Sequence, residues 1–456
     1  TTGEDVISVS ISADGKYIAA GSVDDKVYLF DKDSSTPLWS YSTVNDVDSV
    51  AISADGEYIV AGSDDDSVYF FDRDSDTYLW NYSTGGDVRS VAISSDGEYI
   101  AAGSVDTQVY LFTKDSDLPL QIYSAGDRAV VSVSISADGE YIAAGSVDER
   151  VYLFDKDSST PLWSYYAGNW VWSVSISADG EYIAAGSHRD VYLFDKDSST
   201  PIWSYNTGSE VNSIAISADS EYIVAGSADD KVHLFARNSS TPLWSYDTGE
   251  DVSSVSISAD GEYIVAGGFD GKIRLFDKDS SAPLWRYSTG DSVRSVAISA
   301  DGGHLAGGLT DEKVYLFDSN SSTPLWSYTT GDDQEAVAIS ADGEYIVVGH
   351  TGSNRLYFFN KDSNEPLWRT DPGYGGETVV ISLNETTTTE DVNTVASIFA
   401  EVAGKETEVL SALKEINAIP EGVSRKKDFL SHDVFNAYHS ETELMRYIKK
   451  LERKDL

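Results

Sequence analysis

The sequence predicts an all-β protein, a β-propeller of nine four-stranded units, and three observations predict it. One unit of about 41 residues recurs nine times, each copy holds four short strand-like segments, and turn residues punctuate them at fixed places. The pattern V-x-S-V-S-I-S begins at Val6, Val47, Val88, Val130, Val171, Val211, Val252, Val293 and, degenerately, at Gln334. The spacings are 41, 41, 42, 41, 40, 41, 41 and 41 residues. Nine exceeds the usual four to eight blades, so eight blades plus an extra unit is the alternative count.

Each element follows from residues 136–165, SADGEYIAAGSVDERVYLFDKDSSTPLWSY. The segment VSVSIS before it alternates and stops at ADGE, where Asp and Gly supply turn chemistry. YIAAGS is a second strand whose Ala143, Ala144 and Gly145 suit tight packing near the middle of a wedge-shaped blade. VYLF, β-branched and aromatic, is the third strand. DKDSSTP breaks it, and PLWSY is the fourth. The Trp of PLWSY recurs as Trp39, Trp80, Trp163, Trp203, Trp244, Trp285, Trp326 and Trp368, with Gln121 in the third copy; its bulk fills the wide outer gap between blades. A tenth inner strand, ETVVIS at 377–382, follows the ninth unit without completing another. From about residue 384 the character changes: TTTTED reads as a linker, and VNTVASIFAEVAGKETEVLSALKEI has helical spacing. The expected organisation is a propeller over 1–383 and a linker with a short α-helical C-terminal segment over 384–456.

Acidic residues outnumber basic ones 76 to 32, a formal charge of −44. That argues against nucleic acid and anionic membrane as partners, both of which require basic surface. It suits high salt, an extracellular setting or cation binding, and equally simple solubility. The chain has no cysteine, so disulfides and thiolate chemistry are excluded, and no run of 18 apolar residues spans a membrane. It starts TTGEDV without Met, which suggests processing or truncation. Sequons at Asn81, Asn238, Asn320 and Asn384 would permit N-glycosylation in a secreted protein. The expected location is extracellular or the cell surface, or the cytoplasm if the start is only a boundary.

The strand order puts the near-constant turns SADGEY and DKDSSTP on one face. The other face carries connections that vary: SVDDK, SDDDS, SVDTQ, SVDER, SHRD, SADDK, GFDGK, LTDEK and HTGSNR after the second strand, and the linkers between units. Variation on one face of a rigid frame is where recognition is placed, although drift in unconstrained loops produces it too. The x of V-x-S-V is expected at the channel mouth there: Ile7, Asp48, Arg89, Val131, Trp172, Asn212, Ser253, Arg294 and Glu335. The fifth copy reads AGNWVWSV, with Trp170 and Trp172 where others carry small or polar residues. His188 and Arg189 in a shortened loop, and Arg128 in the lengthened neighbouring linker, fall nearby. Two aromatics beside cations suit a sugar ring or a carboxylate-bearing ligand; the plainer reading is that Trp172 fills space left by the shortened loop.

Chemistry is otherwise sparse. Six His are scattered without a metal-ligand pair, and no nucleophile elbow, phosphate loop or dinucleotide fingerprint occurs in a suitable context. The D-x-D-x-S runs (Asp31, Asp33, Ser35; Asp155, Asp157, Ser159; Asp277, Asp279, Ser281) open like calcium loops but lack the following Gly and distal Glu. They read as turn caps, with no cofactor expected beyond weak Ca2+ binding.

Two propeller families are resembled at once. SVSISADGEYIAAGSVD is similar to the WD-repeat consensus, including the Asp after the second strand, but Phe30-Asp31 and Phe154-Asp155 stand where that family has Trp-Asp, and its Gly-His pair is missing. The family's hydrogen-bonded tetrad is therefore not expected. GSVDxxVYLFDKDSSTPLW resembles the pyrroloquinoline-quinone repeat, which implies an outer-strand Trp docked on the next blade. The quinone-binding members use adjacent cysteines, absent here. FLSHDVFNAYHSETELMRYIKKLERKDL, from Phe429, resembles a segment of glycine decarboxylase, the P-protein of the glycine cleavage system; it stops before the cofactor lysine, so no catalytic role carries over to His432 or His439. The expected function is a non-enzymatic binding or assembly scaffold with a protein or glycan partner on one face, forming a homo-oligomer or head-to-tail assembly. The alternative is a sugar- or quinone-active propeller enzyme; a third reading is an inactive glycine decarboxylase-related fragment.

Overall fold

The computed structural model describes residues 5–310, 312–331, 334–350 and 355–370. The tenth strand, the helical tail and Asn384 lie outside these residues. Blade one consists of β1 (Val6–Ile11), β2 (Tyr17–Ser22), β3 (Lys26–Asp31) and β4 (Trp39–Ser42), paired in sequence order. The same four-stranded antiparallel sheet recurs eight more times, so the described residues form nine blades.

The third strand of each blade is flanked on both faces by neighbouring blades. Val27, Leu29 and Phe30 are fully buried and Tyr28 nearly so, which is why VYLF runs apolar without alternating. The second strand must come closest to the next blade. A Cβ added at Gly145 would lie 2.8 Å from Val171 Cγ1 and 2.9 Å from the Val171 carbonyl oxygen, so the small residue there is required. In the ADG turn Gly56 has φ +71°, and a Cβ would meet Tyr17 Cδ2 of the preceding blade at 2.5 Å.

Indole docking joins the blades. Trp39 Nε1 donates to the Arg73 carbonyl at 2.8 Å and Trp163 to that of Lys196 at 2.8 Å, each in the following blade. The last indole closes the ring: Trp368 donates to the Lys32 carbonyl of blade one at 2.9 Å, and its ring stacks 5.0 Å from Phe30. Nine blades close with no unit left over among the described residues. In blade three Tyr123 replaces the indole; it is fully buried, stacks 4.4 Å from Phe154 and donates its hydroxyl to the Asp155 carbonyl at 2.8 Å.

Two further sets of bonds tie the inner strands. The Ser of x-S-V accepts from the next blade's backbone, as in Val50 N to Ser8 Oγ at 3.0 Å and Val174 N to Ser132 Oγ at 3.2 Å. The SAD turns bond in a chain around the channel, Ala13 N to Ala54 O at 3.0 Å and Ala54 N to Ser95 O at 3.1 Å. These bonds occupy polar groups that would otherwise form an exposed sheet edge along the channel.

Candidate binding face

A β-bulge builds the mouth of the channel on the varied face. In each blade the pairing of the first strand with the second skips one residue, for example between Val171 and Ser173 in blade five and between Val47 and Ser49 in blade two. The skipped residue is the x of V-x-S-V. A bulge re-aims its extra side chain away from the alternating pleat, so nine unlike residues can stand on nine like strands without disturbing the core.

Blade five carries the aromatic pair. Trp170 is 41% and Trp172 36% exposed, with ring centroids 5.3 Å apart and planes at 81°. An edge-to-face contact of this kind stabilises both rings in place. The backbone holds them too: His188 N donates to the Trp170 carbonyl at 3.2 Å, and Trp170 N to its neighbour Asn169 Oδ1 at 2.9 Å. His188 Nδ1 lies 4.0 Å from Glu210 Oε2. Arg189 and Arg128 are exposed, and among the described residues neither guanidinium enters an ion pair or a ring contact. Their carbonyls are used instead, Arg189 O by Thr207 Oγ1 at 2.9 Å and Arg128 O by Ser146 Oγ at 3.3 Å.

The shortened loop has an electrostatic consequence. In blades one to four the loop Asp accepts from the Tyr of the third strand, as in Tyr69 to Asp65 at 2.7 Å and Tyr152 to Asp148 at 2.5 Å, and in blades six and seven from His233 and Arg274. Asp65 also accepts from Val44 N of the preceding linker at 2.9 Å. This is the role of the WD-like Asp here: it fastens a linker rather than joining a tetrad. Blade five has no such Asp, and Tyr192 donates to the Ala167 carbonyl at 3.0 Å. In blade five His188 thus stands at the position of the Tyr-bonded Asp, with Arg189 after it, while Asp190 accepts from Asn206 Nδ2 at 2.8 Å.

Elsewhere around the mouth, charges pair off. Arg89 bonds Asp48, Asp64 at 3.2 Å and Asp87 at 2.7 Å. Asp64 is pushed up to about 6, first by burial and then by the Asp48 carboxylate. The spacing signal for this cluster was present, since Asp48 and Arg89 are successive x residues, but Asp64 and Asp87 come from loops whose placement required the fold. The Arg294 guanidinium lies 6.0 Å over the Phe269 ring. Asn212 donates to the Val252 carbonyl at 2.9 Å and Ser253 to that of Val293 at 2.5 Å, each reaching the next blade. Glu335 lies on the first strand of blade nine, and its side chain is outside the described residues.

On the constant face, Asp31 Oδ1 accepts from Asp33 N at 2.8 Å, and the Asp155 and Asp277 turns repeat this bond. Among the described residues no group of three His, Asp or Glu converges as a metal-ligand set. Asn81, Asn238 and Asn320 are exposed, Asn81 on the fourth strand of blade two and the others in turns after a third strand.

Comparison with known proteins bears on the fold and on the two ends of the chain differently. A family model described as outer membrane protein assembly factor BamB matches residues 3–129 and 147–310. The chain belongs to the BamB family. A model of the WD domain, G-beta repeat, also matches, over residues 118–155, so the double resemblance holds. The crystallised, computationally designed Ika8 protein shares the BamB-family chain's fold with a TM-score of 0.54 over 67% of this chain and 93% of its own, at 14% identity. The C-terminal segment has different relatives. Glycine dehydrogenase (decarboxylating) of Christiangramia forsetii is 62% identical over 76 residues, and that of Flavobacterium johnsoniae 57% over 76, each match taking in 17% of this chain. The chain spans 8% of the length of these enzymes.

Proposed function

We propose that this propeller is a non-enzymatic binding scaffold, at the cell surface or outside the cell, which holds a protein partner on its varied face around Trp170 and Trp172. The observation that carries the reading is the aromatic pair: two partly exposed indoles, locked edge to face, on a blade where His188 replaces the loop Asp that bonds the third-strand Tyr in blades one to four. Tryptophan anchors are among the residues that dominate binding energy at protein interfaces. The frame beneath is rigid, since every strand is bonded on at least one side and indoles lock the blades. Membership of a family named for assembly supports a protein partner. In a secreted form, Asn81, Asn238 and Asn320 would carry N-glycans, all away from the pair. The glycine dehydrogenase-like segment serves as an appendage without that enzyme's activity.

The test is photo-crosslinking in the native host from Tyr166, which is 58% exposed at the varied end of the fourth strand of blade four. A p-benzoylphenylalanine there should give one discrete crosslinked protein. Trp170→Ala with Trp172→Ala should abolish that species while shifting the melting temperature by less than about 2 °C, the range of a surface change. Persistence of the crosslink in the double variant, or a drop of many degrees without loss of the crosslink, would overturn the reading in favour of gap filling.

A further inference from the structure

On the constant face the channel opens into a cavity of about 580 Å³. An isoleucine from every blade forms its wall, with the alanines of the SAD turns beside them; Ile52 and Ala54 are the pair from blade two. Ser12, Ser94 and Ser217 also line it, and the hydroxyl of each donates to the Asp two residues on, Asp14 at 2.8 Å, Asp96 at 2.7 Å and Asp219 at 2.5 Å. The same bond recurs in the other six blades, down to Ser340 and Asp342 at 2.6 Å. Nine carboxylates therefore stand one hydrogen bond behind an apolar collar.

The basic residues of this face do not neutralise them. Among the described residues only Asp14 of this ring has a cation partner, Lys16 at 2.6 Å. The others are committed outward: Lys156 pairs with Glu140 at 3.4 Å and Asp157 at 2.9 Å and lies 5.9 Å over the Tyr99 ring. The Ser299 hydroxyl, and with it the Gly303 amide, holds the Asp301 carboxyl below the usual range, which keeps it charged. Like charges around a low-dielectric wall focus their field into the opening.

We propose that this collar receives a basic, apolar-tipped segment of another protein, an aliphatic side chain entering the isoleucine ring and lysines or arginines meeting the carboxylates. An anionic partner would be repelled. A small molecule requires a few unlike polar groups to orient it, whereas every blade here offers the same ones. A divalent ion requires converging carboxylates, and each of these is tied to its own serine.

Fluorescence anisotropy with a labelled peptide of alternating Leu and Lys tests this. Binding is expected in the micromolar range at 50 mM salt and about tenfold weaker at 300 mM. A peptide of alternating Leu and Glu should not bind, and an all-Lys peptide of equal charge should bind at least about tenfold more weakly, one tenfold being roughly the loss of two buried methylenes. Ala54→Trp with Ala259→Trp should fill the collar and abolish binding. Asp138→Asn with Asp260→Asn, which keeps the turn acceptors, should weaken binding several-fold with an unchanged circular dichroism spectrum. Trp170→Ala with Trp172→Ala should leave it unchanged, so failure here is separable from failure of the varied-face reading. Equal affinity for the all-Lys peptide, undiminished affinity in both channel variants, or no binding at 50 mM salt would each overturn the proposal.

Discussion

At the scale of single residues, Asp64 shows how the ring converts position into a changed titration. Its carboxylate lies beside Asp48, with Arg89 3.2 Å away, and burial and the Asp48 charge push it up to about 6. An unfolded Asp titrates near 3.9. Because the folded value is the higher one, ionised Asp64 costs stability; the cost is absent below about pH 4 and complete above about pH 6. Replacing Asp64 by Asn removes it. Measured by urea unfolding, Asp64→Asn should gain about 1–2 kcal/mol on the parent in going from pH 4.5 to pH 7.5, because each tenfold change in proton affinity is worth about 1.4 kcal/mol. A pH-independent difference would mean that Arg89 compensates the charge fully. Nothing local to SDDDS in the sequence marks Asp64 out from Asp65 or Asp66. The distinction arises because Asp65 turns to Tyr69 and to Val44 N, which leaves Asp64 facing the bulge residues.

At the scale of the element, the fourth strand of blade three shows what repetition reveals and what it hides. The role of PLWSY as an inter-blade wedge was legible from eight Trp in nine copies, and the face assignments followed from strand order alone. The way the Gln121 copy copes was not legible, because the solution lies two residues away. Tyr41 and its equivalents meet the neighbouring Phe at a tilt, 57° for Tyr41 and Phe71, whereas Tyr123 stacks on Phe154 at 30° and bonds the Asp155 carbonyl at 2.8 Å. The same residue type at the same position therefore makes a different contact. Tyr123→Phe should destabilise the protein by about 1 kcal/mol, the net worth of one hydrogen bond, since the Asp155 carbonyl keeps its bond from Ser158 N at 3.1 Å. Tyr41→Phe should be nearly neutral in the same thermal melts. Equal effects would show that the Tyr123 hydroxyl contributes nothing. The bulge at x was also invisible in sequence, since V-x-S-V reads as plain alternation, yet it takes Trp172 out of the pairing of the first two strands.

At the scale of the whole molecule, the ring is not uniform. Of its nine junctions, two lack both the serine tie and the alanine tie among the described residues: blade five to six, and the closure from nine to one. Ser220 occupies the turn position that is Gly elsewhere, at φ +62°, a costly conformation for a residue with a side chain. The turn bond there survives only on the far side, as Asp219 N to Ala259 O at 3.4 Å. At the closure, Ala336 replaces the serine that would accept from Val9 N. Both junctions keep their indole, Trp203 to Arg237 O and Trp368 to Lys32 O, each at 2.9 Å, and inside the five-to-six junction the Ser220 hydroxyl donates to Asp179 at 3.4 Å in place of the two backbone ties. The number of blades was legible from the repeat, but this unevenness arises from single substitutions whose partners are 42 residues away in the regular copies. Local opening should start at such seams. In amide exchange, Ile214 and Val9 should exchange faster than Val255 and Val296, whose amides donate to Ser213 and Ser254 at 3.2 Å. Ala336→Ser should slow Val9 and add about 1 kcal/mol to stability, the net worth of one hydrogen bond. If all four amides exchange alike, or Val9 is unaffected by the serine, the ring opens as one unit and the seams are only geometric.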